Sequence, residues 1–205
     1  HHPDGENLPP ALAVINPKQH GDLYPDKDLA GVGIAYKITE ALLSNEKQET
    51  SNEKKPSLVT LNSLLDLVAL GTVADLAPLV GENRTLVRKG LRQIQQTTRQ
   101  GLFSLAAVSE LVLAKVNAGH IGFTLGPRLN AAGRLKEALA AFELLTTSDV
   151  FRAGELAQML DMQNRERQRI TRDMQKQAEE MVMNEDPHAY LLFAAHEDFN
   201  AGVVG

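Results

Sequence analysis

Cysteine and tryptophan are absent from this 205-residue sequence, and aromatic residues make up only 4% of it. Without cysteine the chain has neither a disulfide framework nor a thiolate metal site, which fits a reducing compartment. No run approaches the length of about 18 apolar residues that a membrane span needs. No secretory leader opens the sequence. We therefore expect a cytoplasmic protein without a membrane segment.

The residues that are present have an ordinary globular composition, with 43% hydrophobic and 23% charged residues and a formal net charge of -5. A chain of this length can bury a core in one or two domains. The acidic balance argues against a surface coated in basic charge for duplex DNA, although local patches can still hold a phosphate backbone. Residues 84–99 contain five basic residues and no acid, and residues 163–176 contain five basic and two acidic residues. Each segment is either a solvated helix face, which is the commoner case, or a surface for an anionic partner.

Hydrophobic patterning predicts a chain rich in helices. The apolar run Ala11–Ile15 predicts a buried strand, and helical spacing predicts helices at 31–43, 64–70, 102–116 and 135–145. Ser63 and Asn83 are candidate N-caps for the helices that follow them. The polar residues 44–57 predict a solvated loop or a disordered insertion.

The segment from Phe151 to Met183 has no proline and a single glycine, so it predicts one helix of roughly 50 Å. Its middle, residues 163–168, is entirely polar, which is typical of a helix that bridges two bodies through solvent. We therefore expect an α/β fold in three parts. Residues 1–150 form the helix-rich C-terminal part of one domain, residues 151–185 form an inter-domain helix, and residues 186–205 begin a second α/β domain with a buried strand at 189–195.

The first candidate site is His1-His2, which a proline-containing turn follows. One imidazole in such a pair can bind a divalent metal while the other hydrogen-bonds a phosphate or orients a ligand. Terminal histidines are also common remnants of purification tags, and this alternative stays open from these residues alone.

The second candidate is Asp75, which directly follows the apolar segment 64–74. A carboxylate delivered by an apolar element must be paired, protonated or bound to a cation. Hard divalent ions such as Mg²⁺ and Mn²⁺ prefer carboxylate oxygens, and Mn²⁺ also accepts imidazole. A helix-terminal Asp that caps the next segment is the alternative.

The third candidate is the glycine-rich segment 119–134, which carries Arg128, Asn130 and Arg134. Glycine permits close approach of a backbone to a phosphodiester, arginine forks onto phosphate oxygens, and the asparagine amide donates a further bond. A helix whose small residues allow tight packing is the alternative, and His120 is expected to make a structural hydrogen bond.

Together these segments resemble the RecJ branch of the DHH phosphoesterase family over nearly the whole chain. His1-His2 with residues 8–18 resembles the segment that ends the family's Asp-His-His signature. Residues 24–37 continue the match, Asp66–Asp75 resembles the fourth family motif, and Gly126–Arg134 resembles the RecJ-specific motif. Asn164–Gln168 falls on what resembles the inter-domain helix. The Asp of the signature would precede residue 1, so we expect this chain to be an internal segment. Asn200 stands where the family carries a histidine, which leaves open what the second domain contributes to phosphate contact.

The resemblance implies a DHH domain joined by a long helix to a DHHA1-like domain, acting as an exonuclease that digests single-stranded DNA from the 5′ end. It implies two Mn²⁺ or Mg²⁺ ions, with His1 and Asp75 as metal ligands and His2 and Asp75 as catalytic residues. It also implies that Arg128, Asn130 and Arg134 hold the DNA backbone. A monomer is expected, with a single-strand-binding protein or a helicase as partners of the full-length enzyme. Because carboxylate ligands are missing, this segment alone is expected to have little nuclease activity.

Two other functions stay open at this point. A DHH-type phosphodiesterase could act on short oligonucleotides, cyclic dinucleotides or polyphosphate, but the RecJ-type segment Gly126–Arg134 argues against it. A non-catalytic DNA-binding or scaffold protein could keep the same fold, but Asp75 argues against that.

Overall fold

A computed structural model of the chain describes residues 9–46, 61–135, 139–183 and 193–199. The side chains of 45–46 and 132–135 are not part of that description. The described residues form a series of helices. In chain order they are α1 (Gly31–Glu46), α2 (Leu65–Ala74), α3 (Gly81–Gln95), α4 (Gln100–Val108), a 3-10 turn (Leu113–Lys115), α5 (Ala118–His120), a π-helical segment (Ile121–Leu125), α6 (Gly126–Leu135), α7 (Leu139–Thr146) and α8 (Val150–Met183).

The helix-rich character is confirmed, but the α/β class is not, because the described ranges contain no strand. The strand predicted over Ala11–Ile15 is wrong. This segment is irregular, and Leu12 and Ile15 are exposed. A strand needs a neighbour to pair its backbone groups, and no other described segment supplies one. Of the strand predicted at 189–195, only residues 193–195 are described, and they are irregular.

Contacts group the chain into two compact units. The first comprises the residues up to Thr98 together with Leu111–Gly126. The second comprises Arg99–Glu110 and the residues from Pro127 onward. The domain boundaries expected after residues 150 and 185 stay predictions. Among the described residues, no helix is long and apolar enough to cross a membrane.

The core of the first unit lies between α1, α2 and α3. It contains Leu29, Tyr36, Leu61, Leu65, Val68 and Leu86. Helix α3 approaches α2 closely at Gly90, where an added Cβ would collide with the Leu65 carbonyl oxygen. Glycine at this position therefore sets the distance between the two helices.

Both predicted N-caps differ from the structure. Helix α2 begins at Leu65 after Leu64, so Ser63 is not the residue at its N-cap. Asn83 lies inside α3 and is fully buried. Its side chain accepts a hydrogen bond from the Ala30 backbone at 3.2 Å and donates to the carbonyl oxygens of Asp28 at 2.7 Å and Pro78 at 3.1 Å. Because these bonds satisfy a buried amide and two of them reach residues 28 and 30, Asn83 joins the entry of α1 to the entry of α3 instead of capping a helix.

The second unit packs α4 and α7 against the first half of α8. Its buried side chains include Leu102, Leu105, Leu144, Leu156 and Leu160. The long helix predicted over Phe151–Met183 is confirmed as α8. Its polar middle is not solvated on every side, because Asn164 is buried, as is Asp161 just before it.

Candidate functional site

Asp75 occupies the C-cap of α2, immediately before a residue in the left-handed region. Leu76 has a φ of 56°. Its backbone N–H donates to the Val73 carbonyl oxygen at 3.1 Å, and the Ala77 N–H donates to the Thr72 carbonyl oxygen at 3.2 Å. These two bonds form a Schellman motif, whose left-handed residue is usually glycine. A leucine in this conformation costs about 1 kcal/mol of backbone strain. The turn that follows Asp75 is therefore maintained by the surrounding structure.

The Asp75 side chain is exposed and borders a cavity of about 560 Å³. The cavity wall consists of residues 28–32, residues 75–78, Lys18 and Gly71. Lys18 forms an ion pair with Asp28 across 3.0 Å. Within the described ranges, the Asp75 carboxylate has no hydrogen-bond or ion-pair partner. The alternative considered for Asp75, that its side chain caps the segment that follows, is therefore not seen among these residues.

The position of Asp75 is electrostatically unfavourable for an anion. It lies at the C-terminus of α2, where the backbone carbonyl groups create a partial negative charge. A second carboxylate, Asp28, borders the same cavity. An anionic side chain in such a place gains from a bound cation.

The π-helical segment and the start of α6 pack against the end of α2 that carries Asp75. A Cβ added at Gly126 would lie 3.2 Å from the Ala74 Cβ, and one added at Gly122 would lie 3.7 Å from the Val73 Cγ1. Small residues therefore support the Asp75 site by close packing. π-helical turns of this kind are frequent at functional sites. Gly71 lies within α2, where an added Cβ would be 2.9 Å from the Val32 Cγ1.

At this cavity the Asp75 carboxylate can supply one ligand to a hard divalent ion. Across the described part of the chain, no group of three or more His, Asp or Glu side chains is close enough to hold a metal. The oxygen chemistry of Asp75 suits Mg²⁺ or Mn²⁺. His1 and His2, the other predicted contributors, lie outside the described residues.

Arg128 belongs to the second unit and is held by a buried carboxylate. Its Nε donates to Asp161 Oδ1 at 2.9 Å, while Arg165 Nε donates to Asp161 Oδ2 at 2.7 Å. The side chain of Asp161 is 10% exposed, that of Arg128 is 15% exposed and that of Arg165 is 71% exposed. One carboxylate thus organises two guanidinium groups. Guanidinium groups fork onto the oxygens of anions such as phosphate, and Arg165 is exposed enough to do so.

The other two residues predicted to bind DNA also lie on α6. Asn130 is exposed, and Arg134 lies in the helix, but its side chain is outside the described set. Arg128 is two residues from Asn130 along the helix, so the two side chains lie on different sides of α6. The helical alternative considered for the glycine-rich segment is the observed structure. His120 makes the expected structural bonds, since its Nδ1 accepts from the Asn117 N–H at 3.2 Å.

Asp161 is the residue that the sequence analysis missed. It lies four residues before Arg165 in a helix, and an acid and a base at this spacing predict an ion pair. Its bond to Arg128 joins residues 33 positions apart, and no local pattern predicts such a contact.

Comparison with known proteins confirms the resemblance over the whole chain. No family model matches. The single-stranded-DNA-specific exonuclease RecJ of Bacillus subtilis is 41% identical over 205 residues, covering 100% of this chain and 24% of the relative. The exonuclease of the same name from Escherichia coli is 39% identical over 211 residues, covering 100% of this chain and 37% of the relative. The chain therefore spans between about a quarter and somewhat more than a third of the length of these relatives.

Solved structures give the same result. The crystal structure of RecJ in complex with Mn²⁺ from Thermus thermophilus aligns with a TM-score of 0.78 and 32% identity, over 99% of this chain and 28% of that chain. A crystal structure of exonuclease RecJ bound to manganese aligns with a TM-score of 0.76 and 32% identity, over 99% of this chain and 48% of that chain. The chain is thus similar to RecJ in sequence and in fold.

Proposed function

We propose that this chain forms part of a divalent-metal-dependent exonuclease that digests single-stranded DNA from the 5′ end. The observation that carries the proposal is the Asp75 carboxylate, which lies without a partner among the described residues at the negative end of α2 and beside a cavity. The similar proteins are named single-stranded-DNA-specific exonucleases, and two similar structures contain manganese. This similarity favours a DNA strand over a cyclic dinucleotide or polyphosphate as the substrate.

In this proposal Asp75 is a metal ligand and catalytic residue, His1 is a second ligand, and His2 supports the metal site or the scissile phosphate. His1 and Asp75 would hold two Mn²⁺ or Mg²⁺ ions, which would supply activation of a water molecule and stabilisation of the leaving oxygen. The strained Leu76 and the Schellman bonds hold the Asp75 backbone at the cavity before any ion binds. Such preorganisation lowers the cost of assembling the site.

Arg128, Asn130 and Arg134 contact the DNA backbone in the same proposal. The bond to Asp161 fixes the direction of the Arg128 guanidinium, and the exposed Arg165 adds a second cation to the cluster. Paired guanidinium groups neutralise phosphates without reading bases, which suits an enzyme that digests any sequence. The monomeric state, the protein partners and the cytoplasmic location stay predictions.

The test replaces Asp75 by Ala in the full-length protein and measures release of nucleotides from a 5′-labelled single strand in Mn²⁺. We expect a loss of turnover of about 100-fold or more, because the carboxylate ligand is removed. Binding of the strand without metal should change little. Asp28→Asn is the matched control, since Asp28 borders the same cavity but is paired with Lys18. Unchanged turnover in Asp75→Ala would contradict the metal assignment.

A further inference from the structure

Helix α3 exposes four basic side chains that have no partner in the described part of the chain: Arg84, Arg88, Lys89 and Arg92. Arg84, Arg88 and Arg92 are spaced by four residues, so they form a row of ~12 Å along one side of the helix. We call these four side chains the α3 basic face. They account for most of the basic segment noted in the sequence, and the catalytic proposal does not use them.

Such a row of unpaired cations occurs on no other helix that the structure describes. Most exposed or half-exposed cations elsewhere are paired with carboxylates, among them Lys18, Lys27, Lys37, Arg152, Arg169 and Lys176. Like charges four residues apart on a helix repel by about 0.2–0.5 kcal/mol per pair. A face selected only for solubility would carry interspersed acids, as this protein has on α8. The α3 basic face therefore retains a repulsion that an anionic partner would relieve.

The only acid of α3 does not neutralise this face. Glu82 lies in the first turn of the helix, accepts a hydrogen bond from the Tyr24 hydroxyl and pairs with Lys37 at 3.3 Å. The opposite side of α3 is fixed to the core through buried Leu86, Val87 and Ile94. The row of cations is thus presented by a rigid helix whose register is set by packing.

The chemistry of the face favours a phosphate polymer over an acidic protein segment. Protein interfaces depend on buried aromatic or apolar anchors. Helix α3 contains no aromatic residue, and each of its apolar side chains is buried or half-buried. A regular row of guanidinium groups with no anchors suits sequence-independent contact with successive phosphates.

We propose that the α3 basic face binds the phosphodiester backbone of single-stranded DNA, as a contact additional to the catalytic cavity. Only the choice of single-stranded DNA as the polymer rests on the proposed function. Binding at α3 requires no metal, so it can be measured separately from turnover. A failure at α3 would leave the Asp75 proposal standing, and a failure at Asp75 would leave binding at α3 intact.

The experiment measures binding of a fluorescent oligo(dT) to this chain in EDTA across a series of salt concentrations. The test variant is Arg88→Gln/Arg92→Gln, and the matched control is Arg169→Gln/Lys176→Gln, which removes the same charge from paired cations on α8. We expect the slope of log K against log salt to fall by about 1.4 in the test variant, because each single-strand phosphate contact contributes about 0.7. The control should keep the slope of the unmodified chain.

Two outcomes would overturn the proposal. One is an equal loss of slope in both variants, which would indicate an effect of net charge alone. The other is displacement of the oligonucleotide by poly-glutamate of the same charge at the same concentration, which would indicate an acidic protein partner. Arg88→Glu guards against loss of fold, since the introduced carboxylate gains Arg92 as an i,i+4 partner and the helix should melt no earlier. This variant should nevertheless bind oligo(dT) at least about 5-fold more weakly than the unmodified chain, because a repulsive charge replaces a phosphate contact.

Discussion

Helices α3 and α8 are both rich in arginine and lysine, but among the described residues most of the cations on α8 are paired with acids and those on the exposed side of α3 are not. On α8, Arg165 pairs with Asp161, Arg169 pairs with Glu166 and Asp173, and Lys176 pairs with Glu180, all at helical spacings of three or four residues. On α3, the four exposed cations have no such partner in the described ranges. The difference lies in where acids occur relative to the bases, because along a single helix only acids three or four residues away can reach a base.

The pairs on α8 are themselves of two kinds. Those of Arg169 and Lys176 are exposed to solvent and contribute little to stability. The Asp161 pair with Arg128 is largely buried, with side chains 10% and 15% exposed. The number of charges in a basic segment therefore does not show whether its cations are paired, buried in the structure or available to a ligand. The distances and the burial of the individual pairs do show this.

The largest expected effect is that of Asp161→Ala. It leaves the Arg128 guanidinium largely buried without its carboxylate, so we expect the free energy of unfolding to fall by about 3 kcal/mol. Urea denaturation of the chain measures this loss. Asp173→Ala is the control, because Asp173 is a 63% exposed partner of Arg169 and its removal should cost less than about 0.5 kcal/mol. Equal effects of the two substitutions would show that Asp161 does not stabilise the fold through a buried ion pair.

A smaller effect on stability is expected when one glycine inside α3 and one inside α8 are replaced. Gly90→Ala on α3 places a Cβ against the Leu65 carbonyl oxygen and 2.6 Å from the Ala69 Cβ, so α2 and α3 must separate. We expect a loss of about 2 kcal/mol. Gly154→Ala on α8 meets nothing within 4 Å, so it should stabilise the helix by about 0.5–1 kcal/mol. Thermal melting of both variants checks the opposite signs. A stabilised Gly90→Ala would mean that α2 and α3 are not in close contact at this position.

Local patterns predicted much of this fold because helices depend on near neighbours. The apolar spacing of 31–43 and the proline-free segment from Phe151 to Met183 correspond closely to α1 and α8. The errors came from features that depend on distant partners. Ala11–Ile15 has the composition of a strand but no strand partner among the described residues. Asn83 resembles an N-cap in sequence but is buried by contacts with residues 53 to 55 positions away.

The candidate site divides in the same way. Asp75 could be singled out from sequence because a carboxylate after an apolar segment is unusual. The left-handed Leu76, the π-helical segment and the Asp161 contact to Arg128 could not be predicted from sequence, because they arise from packing and from long-range bonds. The residue roles implied by the family resemblance stay predictions until the substitutions are made.

The smallest expected effect concerns the hydrogen bond between Tyr24 and Glu82, the acid of α3. Burial, followed by the hydrogen bond to Glu82, raises the pKa of Tyr24 from 10.0 to about 12. Because the folded pKa lies above the unfolded one, this contribution to stability is complete below about pH 10 and is lost as the pH rises toward about 12. Burial also raises the pKa of Tyr36, and the hydrogen bond with Glu40 raises the pKa of Lys37, so the unmodified chain should lose stability at alkaline pH from several groups. Urea midpoints between about pH 9 and about pH 12 should fall less steeply in Tyr24→Phe. An identical pH dependence in the variant would contradict the hydrogen bond from Tyr24 to Glu82, which is one of the two contacts that hold this acid away from the α3 basic face.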